Sequence, residues 1–166
     1  MSCSLRPVGR AQRARLEALT RATGLFREAE VATAVELLDA ALAGDGDYRF
    51  VGAYAEDQLA GYACWGPTPG TEGTDDLYWI VVDPAWQGRG VGTQLLQAVE
   101  RRLQADGCRL LIAETSSRAD YGPTRAFYEK RGFTRAAVIP GYYAPGDDLV
   151  IYLKDVRDGD LARTAS

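Results

Sequence analysis

Three glycines at alternate positions, set directly after an apolar run, constrain this chain more than any other feature. Leu77 to Thr93 reads Leu-Tyr-Trp-Ile-Val-Val-Asp-Pro-Ala-Trp-Gln-Gly-Arg-Gly-Val-Gly-Thr. The apolar, β-rich part stops at Asp83-Pro84, a turn follows, and the glycines open a segment of helical periodicity. Glycine lets a backbone approach a ligand closely, and the N–H groups of a helix's first turn have no partner within the helix. A strand, glycine loop and helix in that order make a site for a phosphate or pyrophosphate. The plainer alternative is a connection whose glycines serve only the turn.

Spacing removes the commonest phosphate loops. A dinucleotide fingerprint needs G-x-G-x-x-G, and counting from Gly88 or Gly90 puts the third position on Thr93 or Leu95. A Walker loop needs Gly-Lys-Ser/Thr, and no lysine lies near this segment. The chain contains no histidine, which excludes His-based triads and His-ligated metal sites together. Cys3, Cys64 and Cys108 are odd in number and widely spaced, so they form neither a disulfide framework nor a metal-ligand pair. No metal is expected. A net charge of −4 argues against a nucleic-acid partner. No apolar run reaches membrane-span length and the N-terminus lacks a signal-peptide core, so a cytoplasmic location without membrane association is expected.

At 166 residues the chain has the size of one domain, and a single domain over residues 1–166 is the expectation. Leu5 to Val8 reads as a short strand. Ala11 to Leu42 carries helical spacing at Leu16, Leu19, Val31, Val35 and Leu38, split near Gly24 into two helices. Strands are predicted over Tyr48–Ala55, Leu59–Trp65, Leu77–Val82, Arg109–Glu114, Phe133–Ile139 and Leu149–Lys154. Helices are predicted over Gly90–Ala105, with Gly107 at its C-terminal cap, and over Pro123–Arg131, ended by Gly132. Pro67 to Thr74 reads as a loop, and the polar tail after Val156 as frayed. Helices over a mixed, mostly antiparallel sheet of about six to seven strands and about four helices, an α/β (α+β) fold, would account for this order.

Two motifs carry a family resemblance. Gln87-Gly88-Arg89-Gly90-Val91-Gly92 matches Q/R-x-x-G-x-G/A, and Thr124-Arg-Ala-Phe-Tyr128-Glu-Lys-Arg-Gly132-Phe133 resembles an A-x-x-x-Y-x-x-x-G-F segment. Together, and in this order of elements, they resemble the GCN5-related N-acetyltransferase (GNAT) superfamily over roughly Tyr48 to Lys154. Within it the chain resembles the ribosomal-protein alanine acetyltransferase type: Ile112-Ala113-Glu114-Thr115 stands at the L-E-V-type strand and Gly141-Tyr142-Tyr143 at the N-Y-Y segment. It departs where that type carries asparagine seven residues before the helix tyrosine; here Tyr121 stands there. The connection from Glu114 to Tyr128 is also two residues longer.

The resemblance implies the GNAT fold and an acetyl-coenzyme A cosubstrate. It assigns the backbone of Ile80, Val81 and Val82 to the pantetheine arm, and Gln87 through Thr93, namely Gln87, Gly88, Arg89, Gly90, Val91, Gly92 and Thr93, to the pyrophosphate. It places Glu114 at the general-base position and Tyr128 at the general-acid position. An alkylamine with a pKa of about 10.4 is unprotonated in roughly one molecule per thousand at neutral pH, so a base helps. At an apolar strand end, desolvation raises a carboxylate toward the useful range. The structural alternatives are a cap or an ion pair with Arg118 or Arg125 for Glu114, and a core aromatic beside Phe127 and Phe133 for Tyr128. Glu72, Asp75 and Asp76, loop carboxylates just before the cofactor strand, are candidates for binding a cationic acceptor or for an alternative base, and Tyr121, with Tyr142 and Tyr143 in a Pro/Gly-bounded loop, for the acceptor's walls. The implied acceptor is an amine-bearing small molecule or a protein N-terminus. A non-catalytic acyl-coenzyme A-binding module, transfer of a larger acyl group, and a homodimer all stay open.

Overall fold

A computed structural model describes residues 3–157. Its elements are β1 (Ser4–Arg6), α1 (Arg13–Ala22), α2 (Glu28–Ala43), β2 (Arg49–Ala55), β3 (Gln58–Pro67), β4 (Thr74–Val82), α3 (Val91–Ala105), β5 (Leu110–Ser116), α4 (Gly122–Lys130), β6 (Thr134–Ala144) and β7 (Asp147–Asp155). The strands form one seven-stranded sheet in the order β1-β2-β3-β4-β5-β7-β6. β1–β2, β2–β3, β5–β7 and β6–β7 pair antiparallel, whereas β4 and β5 run parallel. A parallel neighbour needs a crossover, and α3 supplies it. The mixed, mostly antiparallel sheet with four helices agrees with the sequence reading.

The chain divides into two compact units, one of Met1–Pro67 with Tyr78–Arg102, the other of Thr68–Leu77 with Leu103–Ser166. In the first, the apolar stripes of α1 and α2 close over the sheet. Leu16, Leu19 and Leu38 are fully buried with Leu59 and Tyr62, and Val8, Val35, Tyr54 and Val81 complete the cluster. Tyr62 brings a hydroxyl into this core, and the core satisfies it. Thr20 Oγ1 donates to the Leu16 carbonyl at 2.7 Å, so the 2.8 Å contact between the two hydroxyls leaves Tyr62 as the donor. Truncating Leu16 or Leu38 would cost about 2–5 kcal/mol.

In the second unit, Leu111 and Ala113 of β5 and Tyr152 of β7 are fully buried. Tyr128 packs among Phe133, Tyr152 and Phe127 at ring separations of 5.1, 5.7 and 5.7 Å. The C-terminal end of α3 closes as its sequence suggested. Gly107 sits at φ +74° and its N–H reaches the Gln104 carbonyl, while Cys108 N–H reaches Leu103.

Strand bounds shift throughout, and two strands depart furthest from the sequence reading. β4 begins at Thr74, not Leu77, because Thr74 to Leu77 pair in register with Leu110 to Ala113. Asp75 and Asp76 are poor strand formers, so only the partner strand reveals this stretch. β6 runs on to Ala144, which places Tyr142 and Tyr143 in a strand and not in a loop. Its ladder to β7 is interrupted between Ile139 and Ala144, with Gly141 at φ +64° and its N–H on Asp148 Oδ1 at 2.8 Å. The Pro140-Gly141 pair reads locally as a break, and it is a bulge within a longer strand. Val156 is buried and its N–H bonds the Arg109 carbonyl. The tail predicted to fray lies, from residue 158 on, outside the described residues.

Candidate functional site

In the first unit, β4 delivers Ile80, Val81 and Val82 to the start of the glycine loop. Val81 turns its side chain into the core, and Ile80 and Val82 are half-buried. Gly61 of β3 makes this approach possible: a Cβ there would stand 2.8 Å from the Val81 carbonyl oxygen and 3.3 Å from the side chains of Leu95 and Val91. A single 3-10 turn, Pro84–Trp86, follows. Gly88 and Gly90 then take left-handed φ values of +76° and +80°, with open space where a side chain would be. Gln94 N–H to the Gly90 carbonyl, at 3.0 Å, closes the first turn of α3. Gly92 and Thr93 lie in this turn.

Two candidates here are engaged by the chain itself. The Gln87 side-chain amide donates to the Val82 carbonyl at 3.2 Å, folding the loop back on the strand end. The Arg89 guanidinium lies 4.9 Å over the Trp86 ring. Sequence reasoning overlooked Asp83 and Arg15. Asp83 Oδ1 accepts from Ala85 N–H at 3.0 Å, and Asp83 N–H donates to the Ala60 carbonyl at 2.8 Å. Arg15 of α1 donates through Nη2 to Asp83 Oδ2 and through Nε to the Leu59 carbonyl at 3.1 Å. No local signal links Arg15 to Asp83, since 68 positions separate them.

In the second unit, β5 alternates. Leu111, Ala113 and Thr115 are buried, and Glu114 is exposed on the opposite face with half-buried Leu110 and Ile112. Asp76 pairs with Ile112 and so shares the face of Glu114, whereas Asp75 pairs with Leu111 on the covered face. Asp75 is 7% exposed and accepts a hydrogen bond from Cys108 Sγ at 3.5 Å. Of the early carboxylates it is Asp76 that acts on Glu114: burial first, and the Asp76 charge second, raise the Glu114 pKa above its ordinary value. Glu72 contributes its carbonyl, which accepts from Arg109 Nη2 at 2.7 Å and Nε at 3.1 Å.

Tyr143 belongs to the same cluster. Burial, then the charge of Glu114, with smaller effects of Tyr142, Tyr121 and Asp147, push its pKa up to about 12. Tyr142 packs edge-on against Tyr143 at 5.0 Å, and the Arg118 guanidinium lies 5.1 Å over Tyr121. The connection after β5 is pinned. Ser116 hydrogen-bonds Asp147, Arg118 N–H reaches Ser116 Oγ at 3.0 Å, and Arg125 Nη1 bonds the carbonyls of Ser116 and Arg118 at 2.7 and 2.8 Å. Arg118 also faces Asp120 and Asp147 at 3.4 and 3.9 Å. Both arginines therefore serve this connection. Tyr128, on α4, is 5% exposed, and burial raises its phenol well above the ordinary value.

Residues 15–133 match the acetyltransferase (GNAT) family. The chain belongs to that family. It is 44% identical to a GNAT-family crystal structure from Desulfovibrio desulfuricans, with a TM-score of 0.89 over 93% of this chain and 99% of that one. It is 34% identical to the N-alpha-acetyltransferase RimI of Mycobacterium tuberculosis over 66% of this chain and 68% of the relative. The ribosomal-protein-S18-alanine N-acetyltransferase of Escherichia coli shares the fold, with a TM-score of 0.77 at 19% identity over 94% and 95% of the two chains. The chain spans only 29% and 44% of the length of two other curated relatives that it matches. Two N-acetyltransferases that share this fold, at 18% and 17% identity, are solved with coenzyme A. No helix among the described residues is long and apolar enough to cross a membrane.

Proposed function

We propose that this GNAT chain, acting as a single domain, moves an acetyl group from acetyl-coenzyme A to a primary amine by direct attack. The observation that carries this reading is the open space over left-handed Gly88 and Gly90 at the entrance to α3. A Cβ at either glycine would occupy the place a pyrophosphate needs, and backbone N–H groups at the start of a helix fit a phosphate anion. The backbone of Ile80 to Val82 would hold the pantetheine arm as an added strand. Acetyl-coenzyme A, when bound, supplies an activated thioester.

The chain's own residues then manage protons. Glu114 takes one from the incoming amine, directly or through a water. Its raised pKa brings it nearer to neutrality, where a base works best. Tyr128 donates to the departing thiolate. Its burial keeps the phenol protonated, and the same dry surroundings would raise the proton affinity of a thiolate beside it, which favours the transfer. Asp76, Tyr121, Tyr142 and Tyr143 would receive the acceptor, a small molecule or a protein N-terminus bearing an amine. RimI, a named N-alpha-acetyltransferase, supports the second class.

The test is release of free thiol from acetyl-coenzyme A in the presence of small amines, polyamines and peptide N-termini. Amine-dependent release above background is the expected result. Cofactor binding without release across all three classes would replace this reading with a non-catalytic acyl-coenzyme A module, and release only from longer thioesters would replace the acetyl group.

A further inference from the structure

We propose that Arg15 is a positioning residue for the cofactor loop, braced from α1 onto the strand end from which the loop springs. This rests on the reading that Gly88 to Thr93 take the pyrophosphate. Gly88 and Gly90 have no neighbour within 4 Å of where a side chain would begin, so packing around those two residues does not set the loop's path. That path is set where the loop leaves β4. Asp83 is tied there three ways: its N–H to Ala60, its Oδ1 to Ala85 N–H, and its Oδ2 to Arg15. Trp86 N–H adds a 2.7 Å bond to the Asp83 carbonyl, and the Gln87 side chain returns to Val82.

Arg15 reaches this network from α1. Its guanidinium spans the Leu59 carbonyl on β3 and the Asp83 carboxylate, with side chains 31% and 14% exposed, so the pair is shielded from solvent on most of its surface. The two contacts use separate nitrogens of one planar fork, a geometry an ammonium does not reproduce. Arg15 also answers an electrostatic problem. A carboxylate five residues before Gly88 has the wrong sign for a pyrophosphate site, and the guanidinium offsets it. The brace therefore fixes the direction in which the loop's N–H groups point and removes a repulsion.

The experiment measures KM for acetyl-coenzyme A and kcat at saturating acceptor. Arg15→Ala is expected to raise that KM about tenfold, the loss of one charge-assisted contact, with kcat within about twofold. Arg15→Lys, which keeps the charge and not the fork, is expected to fall between the two. Adding Asp83→Asn to Arg15→Ala is expected to recover part of the affinity, because the uncompensated charge is then gone. Arg13→Ala is the control. Arg13 lies on the same helix and pairs with Asp39 at 2.8 and 2.9 Å, away from the loop, so its removal is expected to leave KM unchanged.

Should Arg15→Ala not fold, Arg15→Lys carries the test. A folded Arg15→Lys protein with wild-type KM overturns the proposal, as does an Arg13→Ala protein with an equal rise. Gly90→Val separates the two claims. If it leaves KM unchanged, the loop reading fails. If it raises KM while neither Arg15 variant does, the loop reading stands and the brace fails.

Discussion

The glycine loop of the first unit and the Glu114 cluster of the second are built from different materials. The loop is made of backbone: two left-handed glycines, the first turn of α3, and the Val81 carbonyl lying over Gly61. The cluster is made of side chains, with Glu114, Asp76, Tyr121, Tyr142 and Tyr143 drawn from three strands and a turn and coupled by charge. A backbone site suits a donor whose phosphate is always the same. A side-chain site can change its occupant through a few substitutions, which is how one fold serves many acceptors.

The sharpest way to break this comparison is Gly90→Val. A β-branched residue is strained at φ +80° and its side chain would fill the open space, so donor affinity is expected to fall on the order of a hundredfold or more. Calorimetric titration of acetyl-coenzyme A checks it. Tyr128→Phe and Glu114→Gln are expected to leave donor affinity nearly unchanged and to lower kcat by about a hundredfold each, measured by thiol release.

Glu114 makes a pH prediction with a definite sign. Its pKa is raised, so activity is expected to fall with decreasing pH through a value above the ordinary carboxylate range, and Glu114→Gln to flatten that limb of the rate profile. A carboxyl raised on folding adds stability below its unfolded pKa, and this is lost as pH rises through the folded value. Glu114→Gln is therefore expected to raise Tm slightly at neutral pH, by about 2 °C or less, with no gain in acid. Calorimetric melts at the two pH values decide it.

Gly61→Ala has a smaller reach. Its Cβ, 2.8 Å from the Val81 carbonyl, would displace β4 from β3 and cost about 1–3 kcal/mol, read from denaturant unfolding. Tyr143→Phe is the mildest. It removes a hydroxyl from beside Glu114 and is expected to change the acceptor KM about threefold while sparing the donor KM.

The same difference explains what could be read in the sequence. Backbone sites are written locally: Gly107 and Gly132 were legible as helix ends and take left-handed φ there, and Gly88 and Gly90 were legible as a loop, although Gly90, read as the first helical residue, stands one residue before α3. The second unit depends on pairing between distant strands. Asp75 and Asp76 read as loop carboxylates, and only the register against Leu111 and Ile112 separates them onto opposite faces. Tyr142 and Tyr143 read as loop residues because Pro140-Gly141 resembles a break, and β7 shows it to be a bulge. Arg15 carried no signal at all. Its meaning lies in Asp83 and the Leu59 carbonyl, which only the folded chain brings to it.

The division of labour between the two regions is tested most directly by calorimetric Kd values for acetyl-coenzyme A in Gly90→Val and Glu114→Gln, each against wild type. The account predicts a loss of about a hundredfold for the first and a change within about twofold for the second. Equal losses in both proteins, or wild-type affinity in Gly90→Val, would contradict it.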